Sequence, residues 1–552
     1  MRHNKLPLDK PRGGSTAKRV IKSKTSDQTF AFAAVAAPHE LACRAGQAIL
    51  IEGGNAVEAA IAMAAVTAVV APHLNSLGGD GFWLIREPRG RVRALEAAGA
   101  SGALATVKRC RDSGYDSIPV RGVWSATTVP GMVGGWIEAL ELARALGGKL
   151  PLDVLLAPAI GHARDGYPVS AAEAHLPPAD LAALKDAPGF VEAFLAEGKL
   201  PQAGTVRTAP ALASTLQQLA HAGLQDFYRG DVAREIAGDM ERMGVPVTRG
   251  DLKAFAAKWR APLALKMRDA TVYAPPPPSP GIAALVTLGI AERLGIVRPD
   301  DFGFFHGLLE AGKRGFAARD KAMTDFDGLN VDHDGFLASD FLAREAEAIS
   351  PRRAAAIHLG EGNERPAWIG AVDADGLAVS CLQSSGWHYG SGCVLPGTGI
   401  LLQNRGVAFS LDQNSPRMLA PGRRPVHGLA PSLAVFRDGA VMSFGATGGD
   451  AQPQILAQVF ARMAMGMTAQ KAVAAPRCAL RRMPGQDSVM LDIEAAFDPS
   501  IARQLRQAGH EIRDAADMAD LSLGEAAVLI RRPKGAVDAG TDPRGDGAVS
   551  GL

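Results

Sequence analysis

Few residues of this chain stand in patterns that could do covalent chemistry. Ser384 and Ser385 follow Gln383, and His388 comes three residues after Ser385. A serine hydroxyl attacks only when a base takes its proton. Ser385 with His388, or with the distant His427, is therefore a candidate acyl-transfer pair; the competing reading is ordinary polar loop residues. Further on, Gly445-Ala446-Thr447-Gly448-Gly449-Asp450 follows an expected strand. Paired glycines there suit a tight strand-to-helix turn, and equally the close backbone approach by which two N–H groups hold an oxyanion. His73 and His427 read as pocket histidines or as structural ones. The five cysteines, Cys43, Cys110, Cys381, Cys393 and Cys478, form no CxxC pair and are odd in number. They are expected to be free thiols in a reducing compartment, with Cys381 packed in the core. No metal and no other cofactor is expected.

Hydrophobic patterning outlines the scaffold that must position these groups. Phe30–Ala36 reads as a buried strand, and His39–Glu52 as a helix stopped by a left-handed cap at Gly53-Gly54. Asn55 caps the next helix with Glu58 three residues on, close to a capping box. That helix is apolar on every side (Ile61, Met63, Val66, Val69), so it should be central. Pro72–Gly81 is a glycine-rich turn before a strand at Phe82–Arg86. From about 130 to 345 the pattern is mostly helical, with an extended proline loop at Ala274–Pro280 and a helix over Leu308–Lys321. Gly328–Gly335 and Gly360–Pro366 read as polar connections. Two hairpins follow, Trp368–Asp373 with Leu377–Gln383 and Leu433–Arg437 with Ala440–Phe444, each turning on an Asp-Gly pair. Gln454–Met465 reads as an amphipathic helix. This order predicts stacked sheets with helices outside.

Composition sets the limits. Of 552 residues, 47% are hydrophobic, which is ample for a core and excludes disorder over most of the chain. With 59 basic and 57 acidic residues the net charge is +2, so no nucleic-acid surface is demanded, and no nucleic-acid partner is expected. Residues 1–28 are polar and basic and read as a disordered arm. The apolar run Ala56–Val70 contains Glu58 and falls short of a ~20-residue span, so no membrane association is expected and the location is read as cytoplasmic.

Several blocks, in order, resemble the gamma-glutamyltransferase family. They include Gly53-Gly54-Asn55-Ala56-Val57-Glu58-Ala59-Ala60, Pro72-His73, Gly78-Gly79, Val129-Pro130-Gly131, Pro275-Pro276-Pro277, Pro396-Gly397-Thr398-Gly399-Ile400-Leu401, Gly448-Gly449, Ala475-Pro476-Arg477 and Asp542-Pro543-Arg544. The resemblance runs from about Phe32 to Leu552. Trp368–Ser384, Asn404-Arg405-Gly406 and Pro425-Val426-His427 are most similar to its oxamate amidohydrolase-like bacterial branch. The resemblance implies an α+β, αββα sandwich of the N-terminal-nucleophile hydrolase type. In that family a precursor cuts itself before a threonine, whose hydroxyl then attacks small carboxylate-bearing amides while glycine N–H groups hold the oxyanion. It further implies Gly448 and Gly449 as that oxyanion hole, and polar substrate contacts in the stretch from Gln383 to Ser385; His427, if a pocket histidine, is a further candidate for substrate binding.

Two parts of that chemistry are missing. The family's threonine stands seven residues before the aspartate of the first hairpin; here that aspartate is Asp373 and the position is Pro366. No Ser, Thr or Cys occurs from Pro351 through Val379. The family's carboxylate-holding arginine should fall within Leu95–Ser101, which has no basic residue; Arg93 is the nearest substitute. Residues 29–365 correspond to the family's large piece and 366–552 to its small piece, here expected to stay one continuous chain. Two functions remain open: an amide hydrolase or acyl transferase with a relocated nucleophile, Ser385, or a non-catalytic homologue. The second would bind a small amide or carboxylate, alone, as a homodimer, or paired with an active paralogue.

Overall fold

The computed structural model describes residues 26–323, 332–357, 359, 364, 366–482, 488–513 and 523–552. Most of the expected basic arm, and much of the two polar connections at 328–335 and 360–366, lie outside the described residues.

The strands of two central sheets are β1 (Gln28–Phe30), β2 (Ala34–Ala37), β3 (Asp80–Arg86), β4 (Val92–Ala97), β5 (Lys258–Arg260), β6 (Leu263–Lys266), β7 (Ala270–Ala274), β8 (Ala367–Val372), β9 (Ala378–Ser384), β10 (Ser432–Phe436), β11 (Val441–Ala446), β12 (Ala526–Arg531), β13 (Val537–Thr541) and β14 (Ala548–Gly551). One seven-stranded sheet runs β1-β13-β12-β11-β10-β7-β6 and the other β14-β2-β8-β9-β3-β4-β5. Every pairing described within them is antiparallel.

Strand alternation explains the layering. Ala34, Ala36, Phe82, Leu84, Val372 and Leu382 point toward the other sheet, where they pack with Leu433, Val441, Leu529 and Val537. The intervening residues Val35, Trp83, Ile85, Ile369 and Val379 point outward, against the Glu40–Ile51 and Ala56–Val70 helices. On the far side Leu265, Val272, Met442 and Val528 pack against the Gly281–Arg293, Phe302–Ala322 and Ala451–Ala464 helices. The result is helix, sheet, sheet, helix.

The Ala56–Val70 helix is buried at every residue. Its capping box is formed: Asn55 Oδ1 accepts from the Val57 and Glu58 N–H groups, and Glu58 Oε2 accepts from Asn55 N at 2.8 Å. The turn residue of the first hairpin, Asp373, also reaches this helix, accepting from Ala56 N at 3.0 Å, where a carboxylate suits the helix dipole.

Three expectations need correcting. The stretch Phe30–Ala36 is not one strand: the chain bends at Ala31–Phe32, placing β1 in one sheet and β2 in the other. The mostly helical middle also supplies β5, which ends one sheet, and β6 and β7, which end the other. The helix expected at Gln454–Met465 spans Ala451–Ala464 and buries its polar face as well. Gln454 and Gln458 are spent on backbone groups of Leu480 and Cys478, so the polar positions meet protein and not water.

Candidate active site

Trp368 fixes the geometry of the site. A Cβ on Gly445 would lie 1.9 Å from the Trp368 ring, so only glycine admits the indole between the sheets. Trp368 Nε1 donates to Ser380 Oγ at 2.9 Å, and Ser380 Oγ donates in turn to the Phe444 carbonyl at 3.2 Å. The start of β8, two residues after Pro366, is thereby held against the end of β11, three residues before Gly448. Pro366 itself is buried, one residue before β8 begins pairing at Ala367 with Gln383.

Gly448 and Gly449 form the turn from β11 into the Ala451–Ala464 helix, with φ of 109° and 57°. A Cβ on Gly448 would meet the Leu523 carbonyl oxygen at 2.5 Å, so the close approach requires glycine. Among the described residues, neither glycine N–H donates to a protein acceptor. Gly449 lines a cleft of about 530 Å³ together with Glu364, Trp387, His427, Gly428 and Asp450. A second cavity of about 680 Å³, at Arg111, Ser117, Leu411 and Asn414, contains none of these groups.

His427 is buried at the cleft wall beside a fully buried carboxyl, Asp80, with Nε2 at 3.5 Å from Oδ2. Asp80 Oδ1 accepts from Gly131 N at 3.0 Å, Gly99 N at 3.4 Å and Gln403 Nε2 at 3.2 Å. Burial outweighs those bonds and pushes the Asp80 carboxyl up to about 7. Burial, then the Arg405 and Arg424 charges, push His427 well below its ordinary value. The imidazole is therefore neutral near pH 7, and the contact is not an ion pair. Arg405 is buried as well and donates from Nη1 to Glu364 Oε1.

The remaining sequence candidates fall elsewhere. Gln383 is buried on β9 and accepts from Asn75 Nδ2 at 3.2 Å, while its own Nε2 has no partner among the described residues. The Ser385 hydroxyl donates to the Leu74 carbonyl at 3.4 Å, and that carbonyl is its partner in place of an imidazole. The His388 ring stands edge-on to His73. Arg93 is spent on Glu87 and lies over the Trp259 ring at 5.6 Å, on the edge of β4 and not at the cleft. In the Leu95–Ser101 window the charged residue is an acid: Glu96 accepts from Arg424 and from Arg260.

Residue type and spacing alone do not mark Asp80, Gln403, Arg405 and Glu364 as site residues. The Gly78-Gly79-Asp80-Gly81 turn and the Asn404-Arg405-Gly406 block were the available signals. One further buried group, His306, Glu310 and His510, has metal-ligand residue types. Its ring nitrogens His306 Nδ1 and His510 Nε2 lie 3.0 Å apart, but Lys313 Nζ donates to Glu310 at 2.6 Å, and the set reads as a hydrogen-bonded tie.

Two stacked antiparallel sheets between helical layers, with a glycine turn feeding a helix at the cleft, define an N-terminal-nucleophile hydrolase fold. The chain belongs to the gamma-glutamyltranspeptidase family, whose profile matches residues 42–552. It is 44% identical to an oxamate amidohydrolase proenzyme of Klebsiella pneumoniae subsp. pneumoniae, over 93% of this chain and 97% of that one. It is 36% identical to a glutathione hydrolase-like proenzyme of Bacillus subtilis, over 94% and 98%. Among solved structures it is similar to a cephalosporin acylase from Bacillus halodurans, with a TM-score of 0.84, 29% identity and 99% of each chain covered. No helix among the described residues is long and apolar enough to cross a membrane.

Proposed function

We propose that this chain binds a small carboxylate-bearing amide of the oxamate or γ-glutamyl class in the cleft beside Gly449, and that it neither cuts itself nor hydrolyses the ligand by a threonine mechanism. Pro366 is the observation that carries the reading. Proline has no side-chain hydroxyl, so it can neither pass the preceding acyl group to oxygen nor attack an amide carbon. The ligand class comes from the relatives, one of which is an oxamate amidohydrolase. The retained glycine turn at Gly448-Gly449, whose two N–H groups have no protein acceptor among the described residues, supports recognition of a carbonyl oxygen. Among the described residues the Ser385 hydroxyl is bonded to the Leu74 backbone carbonyl and not to an imidazole, which weighs against a relocated nucleophile.

Such a chain acts as a binding protein, alone or beside an active relative. Five buried, unpaired cysteines are in keeping with a reducing, cytoplasmic setting. The test is to incubate the purified full-length protein with oxamate and with a γ-glutamyl anilide, following ammonia and aniline release while measuring oxamate binding by calorimetry. Binding without turnover is expected. Turnover, or absence of binding, would overturn the reading.

A further inference from the structure

Two arginines line the cleft, Arg319 and Arg417, and a third, Arg405, is buried next to the lining residues Glu364 and Val407; their surroundings separate them. Arg319 is spent on Asp320 and Asp450. Arg417 is exposed on the rim. Arg405 is only 2% exposed, and its one side-chain partner among the described residues is Glu364, reached through Nη1. Its Nε and Nη2 donors have no partner among the described residues. Nε–H and Nη2–H make up one edge of the guanidinium, the pair of parallel donors that chelates a carboxylate. Leaving two buried, charged donors unmatched is costly. A ligand carboxylate on that edge removes the cost.

The surroundings fit a ligand with an amide at its other end. Gln403 Oε1, Asp80 Oδ2 and both ring nitrogens of His427 also lack hydrogen-bond partners among the described residues. Asp80 is bonded to Gln403 and lies 3.5 Å from His427, and the Arg405 charge is felt at both Asp80 and His427. Glu364 and His427 line the cleft, as do Val407 and Ala408 from the short turn that Arg405 begins. Glu364 Oε2 would lie 2.1 Å from a Cβ on Gly428, so glycine at 428 lets the carboxylate stand where it orients Arg405.

Resting on the binding function proposed above, we infer that Arg405 is the carboxylate-binding residue beside this cleft, receiving the ligand on its buried, unpartnered Nε–Nη2 edge while Glu364 positions the guanidinium. It takes the part left empty by the absence of a basic residue in Leu95–Ser101.

Calorimetric titration of the full-length protein with oxamate and with oxamide, its neutral diamide, tests this. The wild type should bind oxamate about tenfold or more tightly than oxamide, because only oxamate offers a carboxylate to the fork. Arg405→Lys keeps the charge but loses the fork; oxamate affinity should fall about tenfold or more while oxamide affinity stays unchanged. The double variant Arg405→Gln with Glu364→Gln removes both charges of the pair together and should show the same selective loss. Equal wild-type affinity for the two ligands would overturn the Arg405 assignment and leave amide binding standing. So would undiminished oxamate binding by either folded variant. A wild type that binds neither ligand would overturn the binding function and the assignment with it.

Discussion

Arg405 donates from Nη1 to Oε1 of Glu364, which stands two residues before Pro366. This pair ties the chain just ahead of the family's cutting position, where Glu364 lines the cleft, to the buried guanidinium of Arg405. In a member that cuts itself, the corresponding stretch would end in a new carboxyl terminus one residue after the glutamate. Here a proline continues directly into β8, and the tie can persist in the finished protein.

The buried Asp80 carboxyl makes stability depend on pH. Its folded value is about 7 against an ordinary 3.8. Between those values the folded protein holds a proton that the unfolded chain has released, so stability present below about pH 4 is lost as pH rises through 7. Asp80→Asn keeps an Oδ1 acceptor for Gly131, Gly99 and Gln403 and cannot ionise. Its melting temperature relative to wild type should therefore increase from pH 4 to pH 8, by roughly 2 °C or more. A difference that is flat with pH would remove Asp80 as the titrating group.

The Ala56–Val70 helix depends on its cap. Asn55→Ala removes the acceptor of the Val57 and Glu58 N–H groups and the Nδ2 bond to the Ala143 carbonyl. A loss of about 1–2 kcal/mol is expected from urea unfolding, with the slope unchanged. A change under about 0.3 kcal/mol would mean that the buried helix does not need the box.

Ser385→Ala separates the two functional readings. The hydroxyl makes one long bond to the Leu74 carbonyl, so its loss should cost no more than about 1 kcal/mol and leave oxamate affinity unchanged. If the wild type turns over an amide and this variant does not, Ser385 is a nucleophile and the non-catalytic reading fails.

The sequence carried the local features well, because their causes are local. Asn55 and Glu58 lie one helical turn apart, and the Asp375-Gly376 and Asp438-Gly439 pairs stand directly between the strands they join. The all-round apolar character of residues 56–70 translated directly into complete burial. What escaped is set by pairing between distant segments. Asp80 meets His427 only because the segment before β10 packs against β3, where the His427 ring lies edge-on to Phe82. Arg93 is near the Leu95–Ser101 window in sequence only; its contacts with Glu87 and Trp259 depend on the hairpin partner β3 and the edge strand β5. The break between β1 and β2 escaped because a run of alanines gives no sign that the chain leaves one sheet for the other.

Intact mass measurement of the full-length protein after purification and prolonged incubation tests the central claim most directly. A single species near 57.5 kDa, with Pro366 internal to the chain, is the expected result. Two pieces corresponding to residues 1–365 and 366–552 would contradict it.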